Sequence, residues 1–167
     1  MGPAGRDTIL LLIDHQVGPL WEFDCAPTRR RVVELASGAQ RTGLPVVVTT
    51  IEPEEHGPLI PELAGICVDE PFVLRTRSNA WDDRELRRMI AAFGRPRIIV
   101  AGGDTERSVV PCALAARRDG FQVEVVIDAC GPCPSRALVH LLDARVGIST
   151  TRQTIADLAT AGRLVAV

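Results

Sequence analysis

Residues 97–128, "RIIVAGGDTERSVVPCALAARRDGFQVEVVID", contain a complete strand–helix–strand unit. The run 97–102 is almost continuously apolar, the pattern of a strand covered on both faces of a parallel sheet. A polar turn follows, then a helical pattern over 108–119. Gly120 stands where that helix has to stop, because glycine past a helix carboxyl end takes a left-handed conformation without a steric penalty. The next apolar run, 122–128, begins at once.

The same alternation continues on both sides. Further strands are predicted at 8–14, 45–50, 72–75 and 146–150, and further helices near 27–42, 82–93, 135–145 and 152–161, with Gly43 and Gly94 again at helix ends. Strand–helix alternation of this kind predicts an α/β, doubly wound domain with a six-stranded parallel sheet. A length of 167 residues fits one domain over 1–167. The one long connection expected to be irregular is 51–71, "IEPEEHGPLIPELAGICVDEP". Loops of that length cover sites or make interfaces.

Composition narrows the function classes. Apolar residues make up 46% and charged residues 24%, as in ordinary globular proteins. A net charge of −2 gives no electrostatic reason to expect a nucleic acid or an anionic membrane as partner. No stretch approaches the ~18 apolar residues of a membrane span. The amino-terminal apolar run is bracketed by Asp7 and Asp14 and lacks a basic leader, so it reads as a strand and not as a signal peptide. Five cysteines, an odd number, argue against a secreted disulfide framework, and a cytoplasmic location is expected.

In doubly wound sheets ligands bind at the carboxyl ends of the strands, where the strand order reverses. That rule selects Asp14, which ends the first strand, Arg75, which ends the third, and the 102–108 turn after the fourth. If strands one and four are neighbours, Asp14 and Ser108 converge on one crevice. Pro111 has no N–H and is tolerated in a helix's first turn, which favours Ser108 as the helix N-cap. Cys112 lies one turn of ~5.4 Å further along and is expected to pack in the interior.

The stretches "LLIDHQVGPLW" (11–21), "HGPLIPEL" (56–63), "RTRSNAWDD" (75–83) and "GGDTERSVVPCALAARRDGFQVEVVIDACG" (102–131) resemble the isochorismatase-like cysteine hydrolases, most closely their YcaC-like branch. The resemblance covers nearly the whole chain. It implies a three-layer α/β/α domain and a catalytic triad of aspartate, lysine and cysteine used mostly on small amides and related C–N bonds. The aspartate falls on Asp14, the lysine position on Arg75 and the cysteine position on Ser108. Two of the three therefore depart from the family pattern. The resemblance also implies a cis peptide just before Thr105, at Gly103–Asp104, and a homo-oligomer. Gln16, Asn79, Trp81, Asp104 and Thr105 are the candidate substrate-binding residues. No metal site and no cofactor is expected, and the expected partner is a small polar molecule.

The departures have chemical consequences. A thiol near pKa ~8.5 is lowered further by a helix amino terminus and a cation, so a carboxylate can deprotonate it. A serine hydroxyl is a far weaker acid and normally needs a histidine or lysine as base. Arginine cannot fill that role, but it can pair with Asp14 or clamp a substrate carboxylate. Among the three histidines, His15 is expected to point to the other side of the strand. His56, in the long loop, is the better candidate to reach the crevice, and His140 reads as structural.

The segment 128–138, "DACGPCPSRAL", competes with this reading. Cys130 and Cys133 flank a Gly-Pro pair between a strand and a helix, the local setting of a thioredoxin-like dithiol. Three readings thus stand. The first is a diverged hydrolase with Asp14 as acid/base and Ser108 as nucleophile or polar contact, including a variant in which a protonated Asp14 cleaves a vinyl ether without a nucleophile. The second is a non-hydrolytic binding protein that kept the fold. The third is a dithiol redox protein.

Overall fold

The computed structural model describes residues 5–18 and 25–163; residues 19–21 of the 11–21 motif lie outside them. Six strands form one parallel sheet: β1 (Thr8–Ile13), β2 (Val46–Ile51), β3 (Phe72–Arg75), β4 (Arg97–Gly102), β5 (Gln122–Val126) and β6 (Gly147–Ser149). Their order is β3-β2-β1-β4-β5-β6, so the direction of winding reverses between β1 and β4. Those two strands pair from Thr8 opposite Arg97 to Ile13 opposite Gly102. The two carboxyl ends therefore finish side by side, as the convergence of Asp14 and Ser108 requires.

Strand position explains strand composition. All six residues of central β1 are buried. Each leucine or isoleucine taken fully out of water there stabilises the fold by roughly 1.5–3 kcal/mol. Edge strand β3 alternates instead, with Val73 and Arg75 inside and Phe72 and Leu74 exposed. Helices cover both faces. On one, α1 (Ala26–Arg41) packs with α3 (Pro61–Ile66) and α7 (Thr151–Arg163). On the other, α5 (Val110–Arg118) packs with α6 (Ser135–Asp143) and with a 3-10 turn at Ala80–Asp82, which touches α4 (Arg84–Ala92). The result is the three-layer α/β/α arrangement.

Four local expectations change. The 51–71 connection is not wholly irregular: Pro53 and Pro61 open α2 (Pro53–His56) and α3, where a missing N–H costs nothing. An isolated bridge from Gln16 to Leu59 ties the segment back to the end of β1. The helix predicted at 82–93 splits, because Asp83 is extended and caps α4 by accepting from the N–H groups of Glu85 and Leu86.

The third change concerns Ser108, which is not an N-cap. Helical structure begins at Thr105, with Asp104 as cap accepting from Arg107 N–H, and Thr105–Val109 forms a π-helical turn. Its donors reach back five residues, from Val109 to Asp104 O and from Val110 to Thr105 O. That wider turn is how Pro111 is accommodated so far inside a continuous helical segment, since the i−4 spacing that its ring would obstruct has already been given up. Ser108 is consequently carried inside the turn and buried.

The described peptide bonds are all trans, Gly103–Asp104 included, contrary to the expected cis bond. The trans form is favoured by about 2.5–4 kcal/mol for a non-proline residue, and the glycines here let the adjoining backbone approach closely. A Cβ on Gly103 would lie 2.3 Å from the carbonyl oxygen of Asp14, and one on Gly102 would lie 2.6 Å from Val109 Cγ2 and 2.9 Å from the carbonyl oxygen of Ile13. At Gly103 the obstacle is backbone, not a flexible side chain. Gly103→Ala is therefore expected to cost about 1–3 kcal/mol of overpacking strain and to lower Tm by roughly 2–10 °C, which a calorimetric or fluorescence melt measures; an unchanged Tm would show that the strand ends part without cost.

Candidate active site

Asp14 leaves β1 in the left-handed region, at φ +51°. Aspartate tolerates this conformation better than most residues. Its N–H is held by Thr49 O on β2 at 3.0 Å. The side chain is buried and meets three partners. Thr49 Oγ1 donates to Oδ1 at 2.9 Å, an Arg75 Nη2 hydrogen bonds and ion-pairs to Oδ2, and Ser108 Oγ donates to Oδ2 at 3.5 Å. Three strand ends and the π-helical turn thus bring Asp14, Arg75 and Ser108 together. The serine contact is at the outer limit of a hydrogen bond.

Arg75 is 1% exposed. Its Nη1 donates to the carbonyl oxygens of Arg77 and Ser78, the latter at 3.0 Å, and its Nε donates to Thr49 Oγ1 at 3.3 Å. With the bond to Asp14, four of its five N–H groups are engaged. A substrate carboxylate could not be gripped in bidentate fashion by what remains. Burial lowers the guanidinium pKa to about 10, so it stays a cation at neutral pH. Arg75 is thereby the fixed counter-charge of Asp14.

The residues expected to line a substrate pocket have identifiable partners. Gln16 is buried and fully used: its amide donates to Ile51 O at 2.9 Å and Gly57 O at 2.7 Å, and its oxygen accepts from Ile51 N–H. Asn79 caps the 80–82 turn by accepting from Trp81 N–H. Trp81 is buried, donates its indole N–H to Asp119 at 2.7 Å, and meets Phe121 edge-on at 5.4 Å. Thr105 donates to Gly131 O at 2.7 Å. Asp104 caps the π-helical turn that carries Ser108.

Thr49, which connects Asp14 with Arg75, was not among the sequence candidates. In "PVVVTT" it reads as an ordinary β-branched strand residue. Its place at the carboxyl end of β2 was the available signal.

No histidine side chain is recorded in contact with Asp14 or Ser108 among the described residues. His56 lies 4.0 Å from Glu52, and His140 is exposed. The donor atoms of Glu52, Glu55 and His56 fall within 4.8 Å of one another, on the protein surface. His15 is buried and turned away from Asp14, with Nε2 donating to Ala129 O at 2.9 Å and Nδ1 without a partner. Among the cysteines, Cys112 is buried with its thiol pushed up to about 12 by desolvation. Cys130 is likewise buried and raised to about 12, and both Cys130 and Cys133 are free thiols. Such a thiol is the reverse of the stabilised thiolate that a dithiol redox centre needs.

Burial lowers the His15 pKa from 6.5 to about 4, against the raising effect of its bond to Ala129. The folded state thus holds His15 neutral while the unfolded chain takes up a proton below about pH 6.5. The stability this group contributes is complete above that pH and is lost as pH falls toward 4, by up to about 3 kcal/mol. Urea unfolding at pH 7.5, 6, 5 and 4 is expected to show that decline, and His15→Gln is expected to flatten it; an equal slope in both proteins would place the proton uptake elsewhere.

The isochorismatase domain family matches residues 8–154. A probable hydrolase of Escherichia coli, YcaC, is 37% identical over 131 residues, which is 75% of this chain and 63% of that protein. The chain therefore aligns with less than two thirds of that relative's length. The crystal structure of YcaC from E. coli, an octameric hydrolase of unknown specificity, superposes with a TM-score of 0.84 at 31% identity, over 96% of this chain and 88% of that one. YcaC from Pseudomonas aeruginosa, solved with hexane-2,5-diol and covalent acrylamide, gives a TM-score of 0.89 at 28% identity, over 96% and 83%.

Proposed function

Because the chain belongs to the isochorismatase family, on its YcaC-like branch, we propose that it is a hydrolase of a small, uncharged polar molecule, cleaving an amide or related C–N bond at Ser108. The observation that carries this reading is the buried cluster in which Ser108 Oγ and Arg75 Nη2 share Oδ2 of Asp14. Asp14 acts as acid/base, taking the Ser108 proton as Oγ attacks the substrate carbonyl and returning it to the leaving nitrogen. Arg75 is the electrostatic partner that keeps Asp14 a carboxylate. The N–H groups of Thr105 and Glu106, which precede the Arg107 N–H taken by Asp104 and have no intrahelical carbonyl to reach, suit the developing oxyanion.

An uncharged substrate follows from the pairing of charges. Asp14 and Arg75 cancel, and Arg75 has no fork left for an anion. The covalent acrylamide of the P. aeruginosa relative is a small uncharged amide, in keeping with this class. Vinyl-ether cleavage by a protonated Asp14 is disfavoured, because the contacts from Arg75 and Thr49 favour its anionic form.

A second reading is favoured by one distance. The 3.5 Å between Ser108 and Asp14, with a carboxylate as base, suits a serine that binds a ligand without attacking it. Wild type, Ser108→Ala, Ser108→Cys and Asp14→Asn, assayed against small amides, imides, esters and isochorismate, separate the two. Hydrolysis is expected in wild type and is expected to fall about 10²-fold or more in both Ser108→Ala and Asp14→Asn. Turnover by Ser108→Cys alone would establish the binding-protein reading.

A homo-oligomer accompanies this proposal. The octameric E. coli relative supports it, as do the exposed apolar side chains of Val68, Phe72 and Leu74 on and before edge strand β3. Light scattering is expected to return a multiple of the 18.0 kDa chain mass; a monomer at micromolar concentration would remove it.

A further inference from the structure

We propose that Thr49 is a positioning residue of this site, its hydroxyl locking the Asp14 carboxylate and the Arg75 guanidinium into one rigid unit that holds Oδ2 toward Ser108. The inference rests on the assignment of Asp14, Arg75 and Ser108 made above and deepens it.

The polarity of the Thr49 hydroxyl is fixed by its neighbours. A carboxylate has no proton to donate and a guanidinium has no lone pair to offer. Thr49 Oγ1 must therefore donate to Asp14 Oδ1, at 2.9 Å, and accept from Arg75 Nε, at 3.3 Å. Its side chain and those of both partners are buried, so water does not compete for these bonds. The backbone adds a second tie on the same residue, from Asp14 N–H to Thr49 O at 3.0 Å.

These contacts divide the carboxylate between two tasks. Oδ1 is occupied by Thr49, which leaves Oδ2 to face Arg75 and Ser108. Asp14 also sits at φ +51°, outside the region its neighbours in β1 adopt, so regular strand geometry does not aim its side chain. Thr49 supplies that constraint from the adjacent strand. Valine has nearly the same shape and the same preference for a strand, yet it would leave Oδ1 and Nε without this partner. Serine keeps the hydroxyl.

The test uses a chemical probe, since it must not depend on the natural substrate. In a Ser108→Cys protein, the new thiol is alkylated by acrylamide across a pH series and followed by residue-resolved mass spectrometry. The thiolate adds to the terminal alkene carbon and water returns a proton to the other. Thr49→Val in that protein is expected to slow alkylation at pH 7 by about tenfold, the equivalent of one charge-assisted hydrogen bond, and to displace the midpoint of the pH profile. Thr49→Ser is expected to stay within about twofold of the parent. A Thr49→Val profile superimposed on the parent overturns the proposal, as does a Thr49→Ser protein as slow as Thr49→Val.

Asp14→Asn in the same protein separates this proposal from the reading beneath it. If Asp14→Asn alters the profile and Thr49→Val does not, only the role of Thr49 is lost. If Asp14→Asn changes nothing, the assignment of the site fails and the role of Thr49 with it. Should Thr49→Val not fold, Thr49→Ala is read by the same criteria. Failure of both to fold while Thr49→Ser folds would assign the hydroxyl to stability and overturn the proposal.

Discussion

The close approach of backbone at the carboxyl ends of β1 and β4 is the constraint on which the site depends. Where the winding of the sheet reverses, no crossover helix separates these strands, and the chain leaving β4 passes directly over the end of β1. Gly102 lies against the carbonyl of Ile13 and Gly103 against that of Asp14. A third glycine extends the stack, because a Cβ on Gly131 would fall 2.2 Å from Gly103 O. Gly131 N–H also donates to Gly102 O at 3.0 Å. Three segments distant in sequence are thus pinned through main chain alone. Any side chain at these glycines would separate Asp14 from the turn that carries Ser108.

That constraint also explains which parts of the molecule could be read from sequence. The sheet was legible because its strands are short apolar runs separated by helical patterns, nearly continuous in β1 and β4; the burial of β3, with Phe72 and Leu74 exposed and Arg75 inside, was not. Helix ends were legible because Gly43, Gly94 and Gly120 all adopt positive φ, as glycine beyond a helix often does. Asp14 and Arg75 could be singled out because a polar residue ending an apolar strand is conspicuous at the edge where α/β sheets bind ligands, and Ser108 because it belongs to the turn that follows β4. Thr49 was not, since threonine is at home in a strand and its partners lie 35 and 26 residues away in sequence. The π-helical turn was equally hidden. Pro111 marked an irregularity, but whether the helix starts late or widens depends on Asp104 capping the earlier turn, a contact that propensity does not specify.

The two departures from the family pattern, arginine for lysine and serine for cysteine, meet at one oxygen of one carboxylate, Oδ2 of Asp14. Lysine would bring a compact charge with three rotatable donors, free to turn toward a substrate. Arginine is a planar fork, and here its donors are spent on Asp14, Thr49 and the carbonyls of Arg77 and Ser78. The cation is immobilised and the crevice carries no net charge from the pair. A buried pair of this kind is strongly destabilising to break from one side, by about 3–5 kcal/mol, so it is a fixed element of the structure and not a movable clamp.

Serine then faces a carboxylate already engaged by two stronger donors. A thiol in that position would ionise more readily under the influence of the nearby guanidinium and helical N–H groups, and Asp14 would have only to take a proton that they already loosen. A hydroxyl ionises far less readily and depends on the base being aimed well at the moment of attack. In the proposed mechanism, serine in place of cysteine transfers the burden of catalysis from the ionisation of the side chain to the placement of Oδ2. The hydroxyl of Thr49 and the fork of Arg75 both bear on that placement. On that proposal the site gains its reactivity from rigidity, and the bridging threonine on the neighbouring strand bears on a reaction whose atoms it does not touch.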